Sequence, residues 1–106
     1  MEVKAIVVLI TTGNDEQAGK IADALLGQRL AACVNIVPRV DSLFWWQGKI
    51  DATKESLLIV KTKAALLDDI IKSVRGIHSY KVPEIIALPV VGGNQDYLDW
   101  INKEVK

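Results

Sequence analysis

Apolar residues follow one another almost without interruption near the start of the chain. The run from Lys4 to Thr11 is rich in β-branched side chains and ends before Gly13, which predicts a strand buried on both faces. Asn14, with Gln17 three positions later, predicts the capped start of a helix that runs to Gly27. Apolar residues recur at helical spacing inside it and should face the sheet: Ala18, Ile21, Ala22, Leu25 and Leu26.

The next two apolar segments predict a long β-hairpin. Ala31 to Trp46 has the pattern of one strand, and the chain returns as Lys49 to Thr62 after a Gln47-Gly48 turn. Counting by twos along the first arm, Trp46 should point inward and Trp45 outward. The even face carries Val34, Ile36, Val40, Phe44 and Trp46, and the odd face carries Asn35, Arg39 and Asp41. Pro38 has no amide hydrogen to donate, which indicates a bulge or an edge position.

The second half of the chain predicts two more helices and one more strand. Gly76 stands where a left-handed cap would end the first of these helices, "EIIALPV" (84–90) predicts a strand, and Asn94 can cap the last helix. The apolar stripes are Leu66, Leu67, Ile70, Ile71 and Val74, then Tyr97, Leu98, Ile101 and Val105 with Trp100 beside them. The order is βαββαβ plus a terminal helix, so we expect one α+β domain over residues 1–106 with a ferredoxin-like arrangement.

The predicted hairpin is too long for its own domain. Each arm of about fifteen residues would extend about 50 Å, whereas a domain of this size has a diameter of roughly 33 Å. The projecting tip would expose Leu43, Phe44 and both tryptophans, which a monomer rarely tolerates. We therefore expect a second subunit to cover the outward indole. The alternative is that one tryptophan is merely half exposed.

The charge and cysteine content narrow the possible partners. Thirteen basic and thirteen acidic residues give a formal net charge of zero, which disfavours binding to nucleic acid or to an anionic membrane surface. Cys33 is the one cysteine, so no internal disulfide forms and a reducing compartment is permitted. The apolar run Ala5–Ile10 is too short for a signal-peptide core or a membrane span. These features predict a cytoplasmic protein.

Few residues carry obvious chemistry. His78 is the single histidine, which excludes a catalytic histidine pair and a multi-histidine metal site within one chain. Cys33 fits a small buried thiol better than a nucleophile. Lys61 and Glu55 either point into a cleft or are ordinary solvated strand residues, and Gly92-Gly93-Asn94 either offers amides to an anion or simply leads into a helix. An RNA-recognition module is disfavoured because its basic-Gly-aromatic motif is missing.

Several longer stretches are specific enough to indicate a family. They are "RLAACVNIVP" (29–38), "SLFWWQGKI" (42–50), Lys61-Thr62, "HSYKVPEIIALPV" (78–90) and "GNQDYLDWI" (93–101). In sequence, order and spacing they resemble the CutA family of divalent-cation tolerance proteins. The resemblance implies a ferredoxin-like subunit in an interlocked homotrimer, similar in architecture to the PII signalling proteins, with hairpins that reach across neighbouring subunits.

The resemblance also implies a role in tolerance of copper and other divalent ions, by binding rather than by turnover. Residues that match recurring family positions, and that the resemblance places near the subunit clefts, are Cys33, Trp46, Glu55, Lys61, His78, Tyr80 and Glu84. The chain departs from the usual His-Pro-Tyr-Glu pattern at Ser79 and Lys81, and it has Ile10 and Ile77 where metal ligands occur in the family. Only His78 remains, so we expect weak Cu(II) binding, with no cofactor required for folding. The alternative is a PII-like sensor of a small anionic metabolite in the intersubunit cleft, contacted by Lys61, Lys81 and His78 without a metal role.

Overall fold

The computed structural model describes residues 4–106, and the first three residues of the predicted domain lie outside them. The elements are β1 (Ala5–Thr12), α1 (Asp15–Gly27), β2 (Cys33–Trp46), β3 (Lys49–Lys63), α2 (Leu67–Ile77), β4 (Ile85–Pro89) and α3 (Gln95–Glu104). A short 3-10 turn, Ala64–Leu66, leads into α2. The predicted α+β class and the βαββαβ order with an added C-terminal helix are confirmed.

The four strands form one antiparallel sheet in the order β2-β3-β1-β4. β3 lies between β1 and β2, and β1 lies between β3 and β4, so each crossover helix links two strands that are separated by a third. This is the split βαβ arrangement. β2 and β4 are the edge strands.

The core lies between one face of the sheet and the helices α1 and α2. On β1 burial alternates, with Ile6, Val8 and Ile10 buried and the residues between them half-buried. The prediction that β1 is buried on both faces is therefore wrong for the single chain. We call the other side of the sheet the open face; on β1 and β3 it carries Val7, Leu9, Leu57, Ile59 and Lys61. These residues need further cover.

The helix ends differ partly from the prediction. Asn14 caps α1 by accepting a hydrogen bond from the Gln17 amide (2.8 Å), as expected. Leu26, however, is 41% exposed, because it follows the buried Leu25 by one residue and a helix turns through about 100° at each step. Gly76 does not cap α2 but lies inside it; the helix ends at Ile77, and His78 is its C-terminal cap.

A β-bulge interrupts the pairing of β2 with β3. Val37 pairs with Leu57 and Val40 pairs with Glu55, so β2 has one residue more than β3 in this interval. Arg39 adopts the left-handed φ of 56° there. The bulge expected at Pro38 is confirmed, but the even–odd faces counted through it are wrong beyond it, because one inserted residue moves every later side chain to the opposite face.

Beyond the bulge the hairpin projects from the core. Its arms have 14 and 15 residues, close to the predicted length, and the chain measures 43 × 28 × 22 Å. The radius of gyration is 14.3 Å, whereas a compact chain of this length would have about 13 Å. Gln47 and Gly48 close the tip with φ values of 51° and 79°, as in a type I′ turn. The hairpin tip is therefore closed by a regular turn although few other parts of the chain pack against it.

Candidate functional site

Glu55 and Tyr80 meet where the chain leaves β1. Glu55 is only 8% exposed, and its Oε2 accepts a hydrogen bond from the Tyr80 hydroxyl at 2.9 Å. The ring of Tyr80 lies against Gly13, where an added Cβ would come within 3.3 Å of the Tyr80 oxygen. The absence of a side chain at Gly13 thus gives the tyrosine room to reach the carboxylate.

A second carboxylate, Glu84, is electrostatically coupled to this pair. Burial, together with repulsion from Glu55, raises the pKa of Glu84 above its usual value. Burial also raises the pKa of Tyr80, and its hydrogen bond to Glu55 and the charge of that carboxylate act in the same direction. Glu55 and Glu84 therefore concentrate negative charge beside Tyr80, and a bound proton or cation would reduce the repulsion between the two carboxylates.

His78 uses both ring nitrogens within the chain. Its Nδ1 accepts a hydrogen bond from the Tyr80 amide at 2.9 Å, so the ring hydrogen resides on Nε2, which donates to the Thr11 carbonyl at 2.8 Å. The ring also packs on Tyr80, with centroids 4.9 Å apart. A metal ion at either nitrogen would have to displace one of these hydrogen bonds.

Gln17 holds the segment that carries His78. Its side-chain amide donates to the Ile77 carbonyl at 3.2 Å, and its Oε1 accepts from the Ser79 amide at 2.7 Å. The sequence pattern assigned Gln17 only to the cap of α1. Its contacts with Ile77 and Ser79 join residues about sixty positions apart. No local sequence pattern predicts such a contact.

Cys33 and Lys61 lie in a different part of the open face, as direct partners on β2 and β3. The Lys61 ammonium donates to Asn35 Oδ1, and the Cys33 sulfur is 4.0 Å from the same oxygen. Cys33 is half-buried rather than buried, which corrects the expectation of a buried thiol. Burial, with a smaller contribution from the Cys33 sulfur, raises the pKa of Tyr97 on α3. The sequence analysis missed Asn35 and Tyr97 as neighbours of this pair.

The seven candidate residues therefore fall in three places within one chain. Glu55, with Tyr80, His78 and Glu84, occupies the middle of the hairpin. Lys61, beside Cys33, is six residues away along β3, or about 20 Å. Trp46 pairs with Lys49 at the tip, about the same distance in the other direction, and is 55% exposed. These places can come together only if hairpins of different subunits overlap.

The donor set of one chain does not fit a closed metal site. Within residues 4–106 no three side chains of the His, Cys, Asp and Glu types lie close enough to hold one ion. A closed zinc or copper site generally needs about three or four such ligands. In the same part of the chain, no helix combines the length and apolar character needed to cross a membrane.

Comparisons with known proteins give the family. A chloroplastic CutA 1 protein of Oryza sativa is 45% identical over 104 residues, which is 98% of this chain and 59% of that protein. A divalent-cation tolerance protein CutA of Thermus thermophilus is 48% identical over 92% of this chain and 94% of that one. The chain thus spans little more than half the length of the plant relative but nearly all of the bacterial one.

Solved structures of similar proteins agree with the fold. CutA1 from Oryza sativa superposes with a TM-score of 0.95 at 45% identity, covering 98% of this chain and 95% of that one. The CutA1 protein from Thermus thermophilus superposes with a TM-score of 0.94 at 46% identity, covering 96% and 99%. The family model described as CutA1 divalent ion tolerance protein matches residues 6–104. The chain therefore belongs to the CutA1 divalent ion tolerance family.

Proposed function

We propose that this chain acts as a homotrimeric binding protein in divalent-ion tolerance, and that it catalyses no reaction. The observation that carries the proposal is the surface left uncovered by one chain. The open face is half-buried along β1 and β3, and it continues beyond the bulge onto the hairpin through Phe44 and Trp46, which are 38% and 55% exposed. Apolar area of this extent is typical of an interface.

The sheet edges favour assembly in the same way. β2 and β4 are both edge strands, and β4 also adds Ile86 and Leu88, at about half exposure, to the open face. Unpaired strand edges invite pairing with another chain. A closed ring of three copies would let each hairpin cross a neighbour, so that the three separated groups of candidate residues meet at intersubunit clefts.

A size measurement tests the assembly. Light scattering on a sizing column, at micromolar concentration, should give three times the chain mass of 11.7 kDa. A monomeric mass would contradict the proposal, and any other closed oligomer would contradict the trimer while leaving the covered surface in place.

The proposed metal role is weak binding of Cu(II) that depends on His78. The names of the relatives link those proteins to divalent-ion tolerance, and His78 is the one imidazole of this chain. Since both its nitrogens already have partners, copper binding must displace a hydrogen bond, and we expect at most one weakly bound ion per subunit. Folding should need no metal.

Calorimetric titration with Cu(II) tests this role on three proteins: the wild type, His78→Ala and the control Lys81→Ala. The expected result is weak binding in the wild type and in the control, and none in His78→Ala. Tight binding that survives in His78→Ala would place the metal elsewhere and refute the role of this histidine.

A second candidate function is a sensor of a small anionic metabolite in the intersubunit cleft. The observation in its favour is the Lys61 ammonium, whose one hydrogen-bond partner among the described residues is the uncharged side-chain amide of Asn35. In a single chain Lys61 is far from His78 and Lys81, so contacts from all three would require neighbouring subunits. Binding of the metabolite in the presence of a chelator would favour this function over the metal role.

We also propose that the protein works in the cytoplasm. A partly exposed thiol at Cys33 without a partner cysteine suits a reducing compartment. Relatives carry chloroplastic and periplasmic descriptions of their own. Fractionation of the source cells with an antibody to the protein tests the location, and recovery outside the cytoplasmic fraction would contradict it.

A further inference from the structure

The side chain of Gln17 binds the backbone on both sides of His78. Its Nε2 donates to the Ile77 carbonyl at 3.2 Å, and its Oε1 accepts from the Ser79 amide at 2.7 Å. Because these two groups flank one residue, the side-chain amide takes the place of a peptide group in a neighbouring parallel strand. We call this pair of contacts the Gln17 clamp. The position of Gln17 is itself fixed, since its own amide donates to Asn14 Oδ1 at 2.8 Å in the cap of α1.

The clamp needs the chemistry of glutamine. It uses one donor and one acceptor on the same planar amide, and the stem must be long enough to reach from α1 to the segment after α2. Asparagine carries the same amide on a shorter stem, and an ionised glutamate only accepts hydrogen bonds. Gln17→Glu would therefore keep the contact with Ser79 and place a carboxylate oxygen against the Ile77 carbonyl.

The clamp bears directly on the state of the His78 ring. The backbone amide of His78 is also held, because it donates to the Val74 carbonyl at 2.8 Å. With the backbone fixed, the ring donates from Nε2 to the Thr11 carbonyl and accepts the Tyr80 amide at Nδ1. We call this arrangement, with both ring nitrogens in use, the closed state. The ring must leave one of these partners before Cu(II) can bind, and the clamp opposes the shift of the backbone that accompanies this.

We infer that Gln17 is a positioning residue that holds His78 in the closed state and thereby lowers its affinity for Cu(II). This role rests on the proposed metal role of His78 and deepens it, because contacts of the chain itself then contribute to the weakness of binding. All the hydrogen bonds concerned lie within one chain. The role of Gln17 therefore does not depend on the proposed trimer.

Two measurements on the full-length protein test this role. The first is NMR of the imidazole nitrogens without metal, which reports the tautomer of the ring; His78 is the one histidine of the chain, so its signals need no further assignment. The second is calorimetric titration with Cu(II). Both are applied to the wild type, Gln17→Ala and Gln17→Glu, and the double variant Gln17→Ala/His78→Ala is added to the titration.

Gln28→Ala is the matched control. Gln28 is a glutamine at the opposite end of α1, and its side chain also makes two hydrogen bonds, to the Ala24 carbonyl and the Ser73 hydroxyl, both at 2.9 Å. The change thus removes a similar number of contacts between α1 and α2 without touching the segment that carries His78.

The wild type and Gln28→Ala should each show a single tautomer with the hydrogen on Nε2, whereas Gln17→Ala should show a mixture of tautomers. Gln17→Ala should also lower the dissociation constant for Cu(II) by about tenfold or more, the size of two ordinary hydrogen bonds, and the double variant should bind no Cu(II). Gln17→Glu should shift the affinity in the same direction, and it provides the test if the alanine variant is unstable.

An unchanged tautomer in both Gln17 variants, weaker Cu(II) binding in them, or an equal gain in Gln28→Ala would overturn the role of Gln17. His78-dependent binding of equal strength in the wild type and Gln17→Ala would overturn this role alone and leave the proposed metal role standing. Absence of Cu(II) binding in both proteins would overturn the two together.

Discussion

Removal of the Trp46 side chain is the sharpest test of the proposed interface on the open face. Trp46 is 55% exposed in the single chain, and a tryptophan contributes roughly 200 Å² when it is fully buried. About 110 Å² therefore remains for a neighbouring subunit to cover, which at about 25 cal/mol per Å² is worth about 3 kcal/mol per subunit. We expect Trp46→Ala to weaken association by roughly a hundredfold per subunit.

Trp45→Ala is the matched control for this experiment. Trp45 pairs with Ile50 and so lies on the opposite side of the same hairpin, where it is 72% exposed. If the open face forms the interface, this change should weaken association much less than Trp46→Ala. Mass as a function of dilution, by light scattering or sedimentation, measures both variants. A Trp46→Ala protein that keeps its mass at every dilution, or an equal loss in both variants, would refute the assignment of this face.

Three further predictions concern single residues of the chain. Tyr80→Phe removes the donor to the buried Glu55 carboxylate and should lower the free energy of unfolding by about 1 to 3 kcal/mol in urea titrations at pH 7; an unchanged midpoint would show that water replaces the hydroxyl. The pKa of Glu84 is raised in the folded protein, so protonation of Glu84 stabilises the fold. This contribution to the free energy of unfolding is fully present below the pKa of the unfolded state and is lost as pH rises through the pKa of the folded state. Glu84→Gln should therefore flatten the dependence of stability on pH between these two values and slightly stabilise the protein at pH 7, whereas a lower midpoint at pH 7 would contradict the coupling. Gln47→Asn should raise stability by about 0.5 to 1 kcal/mol, since Gln47 has a left-handed φ of 51° that asparagine adopts more readily; thermal unfolding measures the gain, and a loss would mean that the glutamine side chain has an unseen role.

The order of the elements was predictable because it depends on local patterns. The strands and helices were found from the spacing of apolar residues, and the caps at Asn14 and Asn94 were found from the polar residue before each stripe. The helix end at Gly76 was wrong for a physical reason. Glycine permits a left-handed cap but does not require one, and here the chain continues to His78, where side-chain bonds from Gln17 hold the segment.

The sequence analysis proposed candidate residues but could not predict where in the fold they lie. Glu55 and Tyr80 are 25 positions apart and meet only because Gly13 leaves room for the tyrosine ring. Lys61 and Cys33 are neighbours because of strand register, which hydrophobic patterning leaves undetermined once a bulge is present. Distances between such groups depend on the tertiary fold, and the sequence analysis had no means to separate the three places.

The bulge links the fold to the proposed assembly. Before it, Val34 and Ile36 pair with Val60 and Leu58 on the face that the helices cover. If all residues of β2 paired one-to-one with β3, strict alternation would keep the even positions on that face, and Phe44 and Trp46 would extend the core side into solvent. With the bulge, these two rings instead lie on the open face, where their partners on β3 are Asp51 and Lys49. A neighbouring subunit that covers the sheet can then cover the tip as well, and a single inserted residue is sufficient to join the two surfaces.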